Sequence, residues 1–472
     1  MKLIDFKIAI QQKFEFEFTK DQQKLVKSLH GFLKSDITRK IFVMKGYAGT
    51  GKTSLVSAFI QVIGKMNYSS MLLAPTGRAA KVISNYSGRR AYTIHKIIYA
   101  YKQEAGRSVT SLRKNKAKNT IYIVDEASMI GDNSYNNSSS LLDDLMSFVY
   151  SGDNCFVIFV GDTAQLPPVG ESLSRALDEK FLAINFYAEV FHYKLQEVVR
   201  QKKESGILFN ATKIRKHIAT EKLLPVVSKK EFEDVHIVFG NELQDELEDS
   251  YSRFGTENVI ILCRSNKRAN LFNQYVRGRL LFKEEVIDAG DLMLVVKNNY
   301  FWLDDKSKAG FIANGDIIEI LRVKRIEEMY GFNFATAEVQ LVDYPDEIPF
   351  ETVLMLDAIN VESTSLPREK LKQLFFEIEK DYIDEFPQKG KRYEKILKNP
   401  YFNALQVKFS YAVTCHKSQG GQWDVVFIDQ GYLTEEMVDV EYLRWLYTAF
   451  TRATDKLYLA NFHQMFFEEK LK

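Results

Sequence analysis

Cysteine is scarce in this chain, and its scarcity excludes several kinds of site. Only three cysteines occur in 472 residues, each in or beside an apolar stretch: Cys155, Cys263 and Cys415. Isolated thiols in apolar surroundings are expected to be buried and reduced. Their spacing matches neither a disulfide framework nor the ligand pattern of a zinc or iron–sulfur site, so the sequence predicts none of these.

Long apolar runs and a strong net charge are also missing. No run approaches the roughly 20 apolar residues of a membrane-spanning helix and the N-terminus lacks a signal-peptide pattern, so we expect a cytoplasmic protein. The formal net charge is +2, which excludes a strong global field, and any nucleic-acid site must be a local basic patch. The length of 472 residues predicts about three domains.

Apolar strands alternate with amphipathic helices over the first 195 residues. The predicted strands are nearly continuous in large apolar residues, as in a parallel sheet buried on both faces; they cover 41–45, 71–75, 121–125 and 157–161. Ligands bind beyond the carboxyl ends of such strands. We therefore expect Gly46, Thr76, Asp125 and Asp162 to share one edge of the sheet.

A second series of strands begins near residue 259 and is interrupted. Its members are 259–263, 425–428 and 457–460. The interruption is rich in strand-like segments and ends in a helix with one apolar face, followed by a basic stretch. The sequence therefore predicts an α/β fold with two parallel-sheet cores. Residues 1–195 form the first core, 196–310 and 406–472 the second, and 311–405 an inserted β-rich domain with a helical arm.

Residues 46–53 read Gly-Tyr-Ala-Gly-Thr-Gly-Lys-Thr, which is a Walker A phosphate loop. The motif lies between an apolar strand and a helical run, the order that such a loop requires. Its glycines let backbone N–H groups surround a polyphosphate, Lys52 reaches the β- and γ-phosphates, and Thr53 holds Mg²⁺. The sequence therefore predicts a nucleoside-triphosphate site. The candidate nucleotide contacts are Gly46, Gly49, Thr50, Gly51, Lys52, Thr53 and Ser54.

An acidic pair follows the third predicted strand. Asp125 can hold Mg²⁺ through water, and Glu126 can polarise the attacking water. Acidic pairs at strand ends are often structural, but a Walker A loop upstream favours catalysis. Gln165, after the next strand, could sense the γ-phosphate, although its loop could equally be a proline-stiffened connection.

Taken in order, these and further segments resemble the motifs of superfamily 1 helicases, and within them the RecD/Dda-like group of superfamily 1B. The resemblance covers nearly the whole chain. The matching segments are 19–22, 46–53, 74–80, 93–95, 125–128, 161–165, 195–201, 413–420 and 447–453.

This resemblance implies RecA-like cores that bind ATP and Mg²⁺ between them and track 5′ to 3′ along single-stranded DNA, opening duplexes at single-strand/double-strand junctions. It implies an SH3-like insert at 311–405 and a small strand-separating hairpin near 98–119. It assigns Gln22 to adenine. The residues that it assigns to the γ-phosphate are Gln165, Arg200 and Arg452. The residues that it assigns to the DNA strand are Pro75, Thr76, Thr93, His95, Thr414, His416 and Lys417.

One Thr–x–His segment occurs in each unit, ending at His95 and His416. Threonine hydroxyls can hold phosphates without reading sequence, and histidine adds a hydrogen bond or a stacking face. A single histidine is more often a surface or core residue, but the matching pair favours strand contact. The hairpin segment is basic, with Tyr101 as the candidate wedge residue, and its alternative interpretation is a solvated loop.

Two other functions stay open on sequence alone. One is a double-strand translocase or remodeller of the opposite polarity, and the other is a nucleotide-driven switch that binds a protein partner. ATPase activity with and without single-stranded DNA separates the switch from the motors, because a strand should strongly stimulate a motor. The choice of DNA over RNA rests on the family resemblance.

Overall fold

The computed structural model describes residues 1–467 except 105–106, 132–138, 199–204, 221–226, 229–231, 241, 304–306 and 308, with backbone only at 101–104 and 107–110. Within this part of the chain the architecture is α/β, with two parallel sheets, a closed barrel and a two-stranded hairpin. The predicted fold class is confirmed. The three cysteines are buried free thiols, as expected. Each described helix is too short or too polar to span a membrane.

The N-terminal half is built on a parallel sheet. Its strands and the adjoining hairpin are β1 (Lys40–Gly46), β2 (Ser69–Ala74), β3 (Ala91–Thr93), β4 (Tyr99–Glu104), β5 (Arg107–Leu112), β6 (Thr120–Val124), β7 (Phe156–Gly161) and β8 (Glu189–Leu195). The sheet order is β3-β2-β6-β7-β1-β8, and every pairing is parallel. β4 and β5 pair antiparallel within the segment where the sequence predicts a hairpin.

Helices pack on both faces of this sheet because side chains alternate along each strand. Phe42 and Met44 of β1 belong to one buried cluster, whereas Ile41 and Val43 belong to another. The helices of this half are α1 (Leu3–Gln11), α2 (Lys20–Lys34), α3 (Lys52–Val62), α4 (Gly77–Ser87), α5 (Ile94–Ile98), α6 (Leu141–Tyr150) and α7 (Glu179–Phe186), with 3₁₀ turns at Ile63–Met66, Ala127–Met129 and Arg175–Leu177.

The C-terminal half contains a second parallel sheet and the barrel. Its strands are β9 (Val235–Val238), β10 (Val259–Cys263), β11 (Leu292–Val295), β12 (Ile317–Met329), β13 (Phe332–Leu341), β14 (Phe350–Met355), β15 (Leu405–Phe409), β16 (Ala412–Thr414), β17 (Trp423–Asp429) and β18 (Ala453–Ala460). The second sheet has the order β16-β10-β17-β18-β9. All its pairings are parallel.

The helices of the C-terminal half surround this sheet and form the arm beside the barrel. They are α8 (Gly206–Thr220), α9 (Leu243–Phe254), α10 (Asn266–Tyr275), α11 (Arg368–Lys380), α12 (Lys389–Leu397) and α13 (Val440–Phe450). A π-helical turn, Val276–Leu280, continues α10. Short 3₁₀ turns occur at Thr256–Asn258, Leu356–Ala358, Glu435–Met437 and Gln464–Phe466.

The barrel begins earlier and ends later than the insertion at 311–405 that the sequence predicts. It closes through β11 and β15, which pair antiparallel with Met293 opposite Phe409. The chain therefore enters and leaves the barrel on adjacent strands. The arm packs against the barrel through a buried cluster that includes Leu374 and Ile378 of α11 and Phe334 of β13.

Candidate functional site

The phosphate loop joins β1 to α3, and its glycines are required by its shape. Gly49 and Gly51 have φ angles of +75° and +80°, in the left-handed region that favours glycine. A Cβ at Gly46 would lie 2.9 Å from Thr50 Oγ1. The loop thus curls closely over itself before α3 begins, so the N-terminal N–H groups of that helix face the loop.

The Lys52 ammonium is oriented by the loop itself. Its Nζ donates to the carbonyl oxygens of Gly46 at 2.7 Å and Tyr47 at 2.9 Å. The flexible side chain is therefore held along the loop, and the cation lies beside the N-terminal turn of α3. A cation and a helix N-terminus together favour a bound polyphosphate.

Gln22 lies beneath the phosphate loop and is fully buried. Its Nε2 donates to the Thr50 carbonyl at 3.2 Å, and its Oε1 accepts from the Thr19 amide at 3.1 Å, completing a capping box at the start of α2. A Cβ on Gly51 would lie only 2.8 Å from this Nε2. In this structure Gln22 supports the loop, and the adenine contact stays a prediction.

The acidic pair follows β6 on the neighbouring part of the sheet. Asp125 Oδ1 accepts from the Glu126 amide at 2.9 Å. Burial raises the pKa of Asp125 to about 7, and the adjacent Glu126 carboxylate adds to the rise. Glu126 has a φ of +51°, which is uncommon for a residue other than glycine. The Lys52 ammonium partly offsets this rise, and a further cation beside the pair would favour the ionised carboxylates.

The predicted Mg²⁺ ligands fit the chemistry of that ion. Thr53 supplies a hydroxyl and Asp125 a buried carboxylate, and Mg²⁺ prefers such oxygen ligands. Among the described residues no three His, Cys, Asp or Glu side chains form a metal cluster. An ion here would therefore need phosphate oxygens and water as further ligands, which is typical of Mg²⁺ bound with a nucleotide.

The turn after β7 carries Gln165 and packs against α13 of the second core. Arg444 Nη1 donates to the Thr163 carbonyl at 3.0 Å. The Leu166 amide donates to Thr448 Oγ1 at 2.8 Å. Gln165 Oε1 is buried and has no hydrogen-bond partner among the described residues, so this oxygen is free for a further contact. The two cores thus meet beside the candidate γ-phosphate sensor.

The structure describes one of the two arginines predicted to contact the γ-phosphate. Arg200 lies outside the described residues. Arg452 is 4% exposed, and its guanidinium donates to the carbonyls of Thr448 and Gly421 and to Thr451 Oγ1, all in the second core. Its γ-phosphate role stays a prediction.

A cation that the sequence reasoning missed faces the phosphate loop. Arg215 of α8 lies with Cζ 3.9 Å from the centroid of the Tyr47 ring, and Lys194 Nζ lies 4.9 Å from the same centroid. Both positive charges stand beside the second residue of the loop and add to its attraction for anions. No local sequence pattern identifies Arg215, because a charged residue on an amphipathic helix resembles an ordinary surface residue.

Thr93 and Thr414 end the edge strands of the two parallel sheets. Thr93 ends β3 and lies opposite Ala74 of β2, whereas Thr414 ends β16 and lies opposite Cys263 of β10. The histidine of each Thr–x–His segment follows two residues later. The two segments, which we call the first and second grip, therefore occupy corresponding places in the two cores.

A matching pair of helix caps adjoins the grips. After Pro75, Thr76 Oγ1 accepts from the Ala79 amide at 3.2 Å and caps α4. Ser265 Oγ accepts from the Arg268 amide at 3.2 Å and caps α10. Sequence reasoning found Thr76 but missed Ser265, although a serine between an apolar strand and a helix is an N-cap signal.

Burial lowers the pKa of the basic side chains in and beside the two grips. It lowers the pKa of both His95 and His416, so both rings are neutral at neutral pH and suit stacking or hydrogen bonding. Burial also lowers the pKa of Lys417 to about 8. Its Nζ donates to Asn314 Oδ1 at 2.7 Å, so the residue after the second grip is bound to the loop before β12.

Known protein families match both parallel-sheet cores. Residues 17–229 match the AAA domain family, and residues 409–460 match the UvrD-like helicase C-terminal domain family. The first match includes the phosphate loop and the first grip, and the second includes the second grip and α13. Most of the barrel lies between the two matched regions.

Individual proteins are also similar to this chain. The chain is 30% identical over 203 residues to the ATP-dependent RecD2 DNA helicase of Deinococcus radiodurans, covering 42% of this chain and 24% of that protein. It is 24% identical over 417 residues to the ATP-dependent DNA helicase dda of Enterobacteria phage T4, covering 82% of this chain and 86% of that protein. The crystal structure of Pif1 helicase from Bacteroides in complex with ADP-AlF3 and ssDNA is 15% identical, with a TM-score of 0.48 over 96% of this chain and 95% of that chain.

Proposed function

We propose that the chain is a superfamily 1B helicase, an ATP-dependent enzyme that moves 5′ to 3′ along single-stranded DNA. The observation that carries this proposal is the pair of grips. One Thr–x–His segment begins at the end of an edge strand in each core. The phosphate loop of the first core also forms a hydrogen bond with the second core. A nucleotide that moves the cores relative to each other therefore changes the distance between the grips.

Each chemical task of hydrolysis has a candidate residue on the first core. Lys52 would face the β- and γ-phosphates, and Thr53 and Asp125 would hold Mg²⁺, which would neutralise phosphate charge. Glu126 accepts a proton from the attacking water or orients it. The γ-phosphate contacts that we propose are Gln165, Arg200 and Arg452.

The DNA strand lies across the grips in this proposal. Threonine hydroxyls and the Lys417 ammonium hold phosphates, while the neutral rings of His95 and His416 contact bases or sugars. Pro75 and Thr76 extend the first contact. Ser265, at the corresponding cap in the second core, is an added candidate. None of these groups reads a base edge by a bidentate pattern, so binding is independent of sequence.

The remaining elements supply strand separation. We propose that the hairpin at 98–119 meets the single-strand/double-strand junction and that the SH3-like barrel lies over the strand. Lys96, next to the first grip, donates through Nζ to the carbonyl of Ala309 at 3.2 Å, and Ala309 lies in the connection between barrel strands β11 and β12; this bond supports a barrel that lies close to the first grip. The side chain of Tyr101, the candidate wedge residue, lies outside the described residues. Together with a first core at 1–195 and a second core on either side of the barrel, which runs from β11 to β15, these elements make up the proposed domains.

ATP turnover with and without single-stranded DNA tests this proposal. A motor whose grips respond to the nucleotide should hydrolyse ATP much faster when the strand is bound, because the strand then favours the closed, catalytic arrangement. Turnover that is the same with and without DNA would favour the nucleotide-driven switch. Stimulation by duplex DNA alone would favour a double-strand translocase.

Removing one grip is expected to uncouple hydrolysis from unwinding. In a variant with Thr93→Ala and His95→Ala, base pairs opened per ATP should fall about tenfold, a loss within the usual range of coupling energies. DNA affinity should fall less, because the other phosphate contacts and their counterion release still hold the strand. The same result is expected for Thr414→Ala with His416→Ala.

Thr93→Ser is a matched control for this experiment. Thr93 Oγ1 also accepts from the Lys96 amide at 3.3 Å and caps α5, and serine keeps both the cap and the hydroxyl. Unwinding and ATPase should be measured on the same tailed duplex. If affinity and unwinding fell equally in the double variants, the grips would be binding contacts only.

A further inference from the structure

The phenol of Tyr447 joins the two cores at the phosphate loop. Tyr447 belongs to α13 and is 1% exposed. Its Oη accepts from the Ala48 amide at 2.9 Å and donates to Asp162 Oδ2 at 2.7 Å. A single hydroxyl of the second core therefore satisfies a backbone group of the phosphate loop and a carboxylate that follows β7.

The contact is part of a larger docking of α13 on the turn that carries Gln165. Arg444, Tyr447 and Thr448 are spaced i, i+3 and i+4, so they share one face of the helix. They bind the Thr163 carbonyl, the Asp162 carboxylate and the Leu166 amide, respectively. Because three successive bonds hold the turn, a displacement of α13 must displace Asp162 and its neighbours as well.

The loop of the second grip contacts the same helix and the same turn. The Cys415 thiol, between Thr414 and His416, donates to the Trp445 carbonyl of α13 at 3.6 Å. Gln419 Nε2 donates to the Leu166 carbonyl at 2.8 Å. Buried hydrogen bonds thus connect the second grip, α13 and the turn after β7 without interruption.

We propose that Tyr447 is the positioning residue through which strand contact in the second core acts on the phosphate loop and on Gln165. The inference rests on the proposed function and extends it. Of the three residues on the docking face, Tyr447 bonds to both the phosphate loop and the turn. Without its hydroxyl, a partly buried amide and a buried carboxylate each lose a partner, and ATP hydrolysis no longer responds to bound DNA.

The test compares two conservative variants on the same helix. Tyr447→Phe removes the bridging hydroxyl and keeps the ring. Tyr442→Phe is the matched control, because Tyr442 is also buried in α13 but its Oη accepts from Gln430 within the second core. ATP turnover and KM should be measured with and without saturating oligo-dT.

The expected result is selective. In Tyr447→Phe the ratio of DNA-stimulated to basal turnover should fall at least about tenfold, within the range of typical coupling energies, while KM for ATP changes less than about threefold. Tyr442→Phe should keep the wild-type ratio. An unchanged ratio in Tyr447→Phe, an effect on KM alone, or an equal loss in both variants would overturn the inference. A wild-type protein without DNA stimulation would instead overturn the proposed function itself.

Asp162→Asn changes the other partner of the Tyr447–Asp162 hydrogen bond. It provides a second test in case Tyr447→Phe does not fold. The amide keeps the shape of the carboxylate and can still accept from the Ala164 amide, which lies 2.9 Å from Asp162 Oδ1. It should reproduce the selective loss of stimulation. The double variant should be no worse than either single one, whereas additive losses would show that the two groups act independently.

Discussion

Replacing Lys52 by alanine is expected to reduce ATP turnover by at least about 10², the loss typical of removing one preorganised electrostatic group. The loop would keep its backbone cradle, because Gly49 and Gly51 set its conformation independently of the lysine. It would lose the cation that the Gly46 and Tyr47 carbonyls hold beside the N-terminus of α3. DNA-stimulated and basal turnover should fall together, since both need the same phosphate contact.

Lys65→Ala provides the control for this change. Lys65 is an exposed lysine just beyond the C-terminal end of α3. Its replacement by alanine removes one positive charge from the protein but leaves the phosphate loop unchanged. Turnover of Lys65→Ala should stay within about twofold of wild type, as expected for an exposed surface charge. A Lys52→Ala protein that is as active as Lys65→Ala would refute the nucleotide site.

Glu126→Gln is expected to slow hydrolysis about 10²- to 10⁴-fold while leaving ATP binding intact, because glutamine keeps the hydrogen bonds but cannot act as a base. The change is nearly isosteric, so the left-handed backbone at this residue is no more strained than before. It also removes one of the charges that raise the pKa of Asp125, which favours the ionised carboxylate that the proposed Mg²⁺ site requires.

Equilibrium binding of a fluorescent ATP analogue and single-turnover hydrolysis separate the two roles of Glu126. Binding should stay within about threefold of wild type, whereas the single-turnover rate should carry the whole loss. A Glu126→Gln protein that no longer binds the analogue would show that this carboxylate is structural.

The parallel strands could be predicted because their signal is local. Continuous apolar runs bounded by polar turns placed strands at 41–45 and 157–161, and the structure has them at Lys40–Gly46 and Phe156–Gly161. The barrel boundary could not be predicted in the same way. β11 is a short strand whose partner β15 follows the whole insertion, so only the folded chain reveals the pairing.

The residues of the candidate site likewise fall into those that local sequence motifs identify and those that only the folded chain brings together. Lys52, Thr53 and Asp125 belong to contiguous motifs, so residue type and spacing identify them. The bond between Ala48 and Tyr447 joins residues 399 positions apart, and no local pattern indicates it. Arg452 shows a further limit. Its motif identifies the residue, but the direction of its side chain depends on the surrounding loop.

Unwinding of two tailed duplexes of the same sequence tests whether the protein is a 5′ to 3′ DNA helicase. One duplex carries a single-stranded tail at the 5′ end and the other at the 3′ end of the strand being tracked, and both are incubated with ATP and Mg²⁺, with Lys52→Ala as the inactive reference. We predict opening of the 5′-tailed duplex alone. Opening of the 3′-tailed duplex alone would contradict the assigned direction, and failure to open either, with ATP turnover indifferent to single-stranded DNA, would contradict the helicase function.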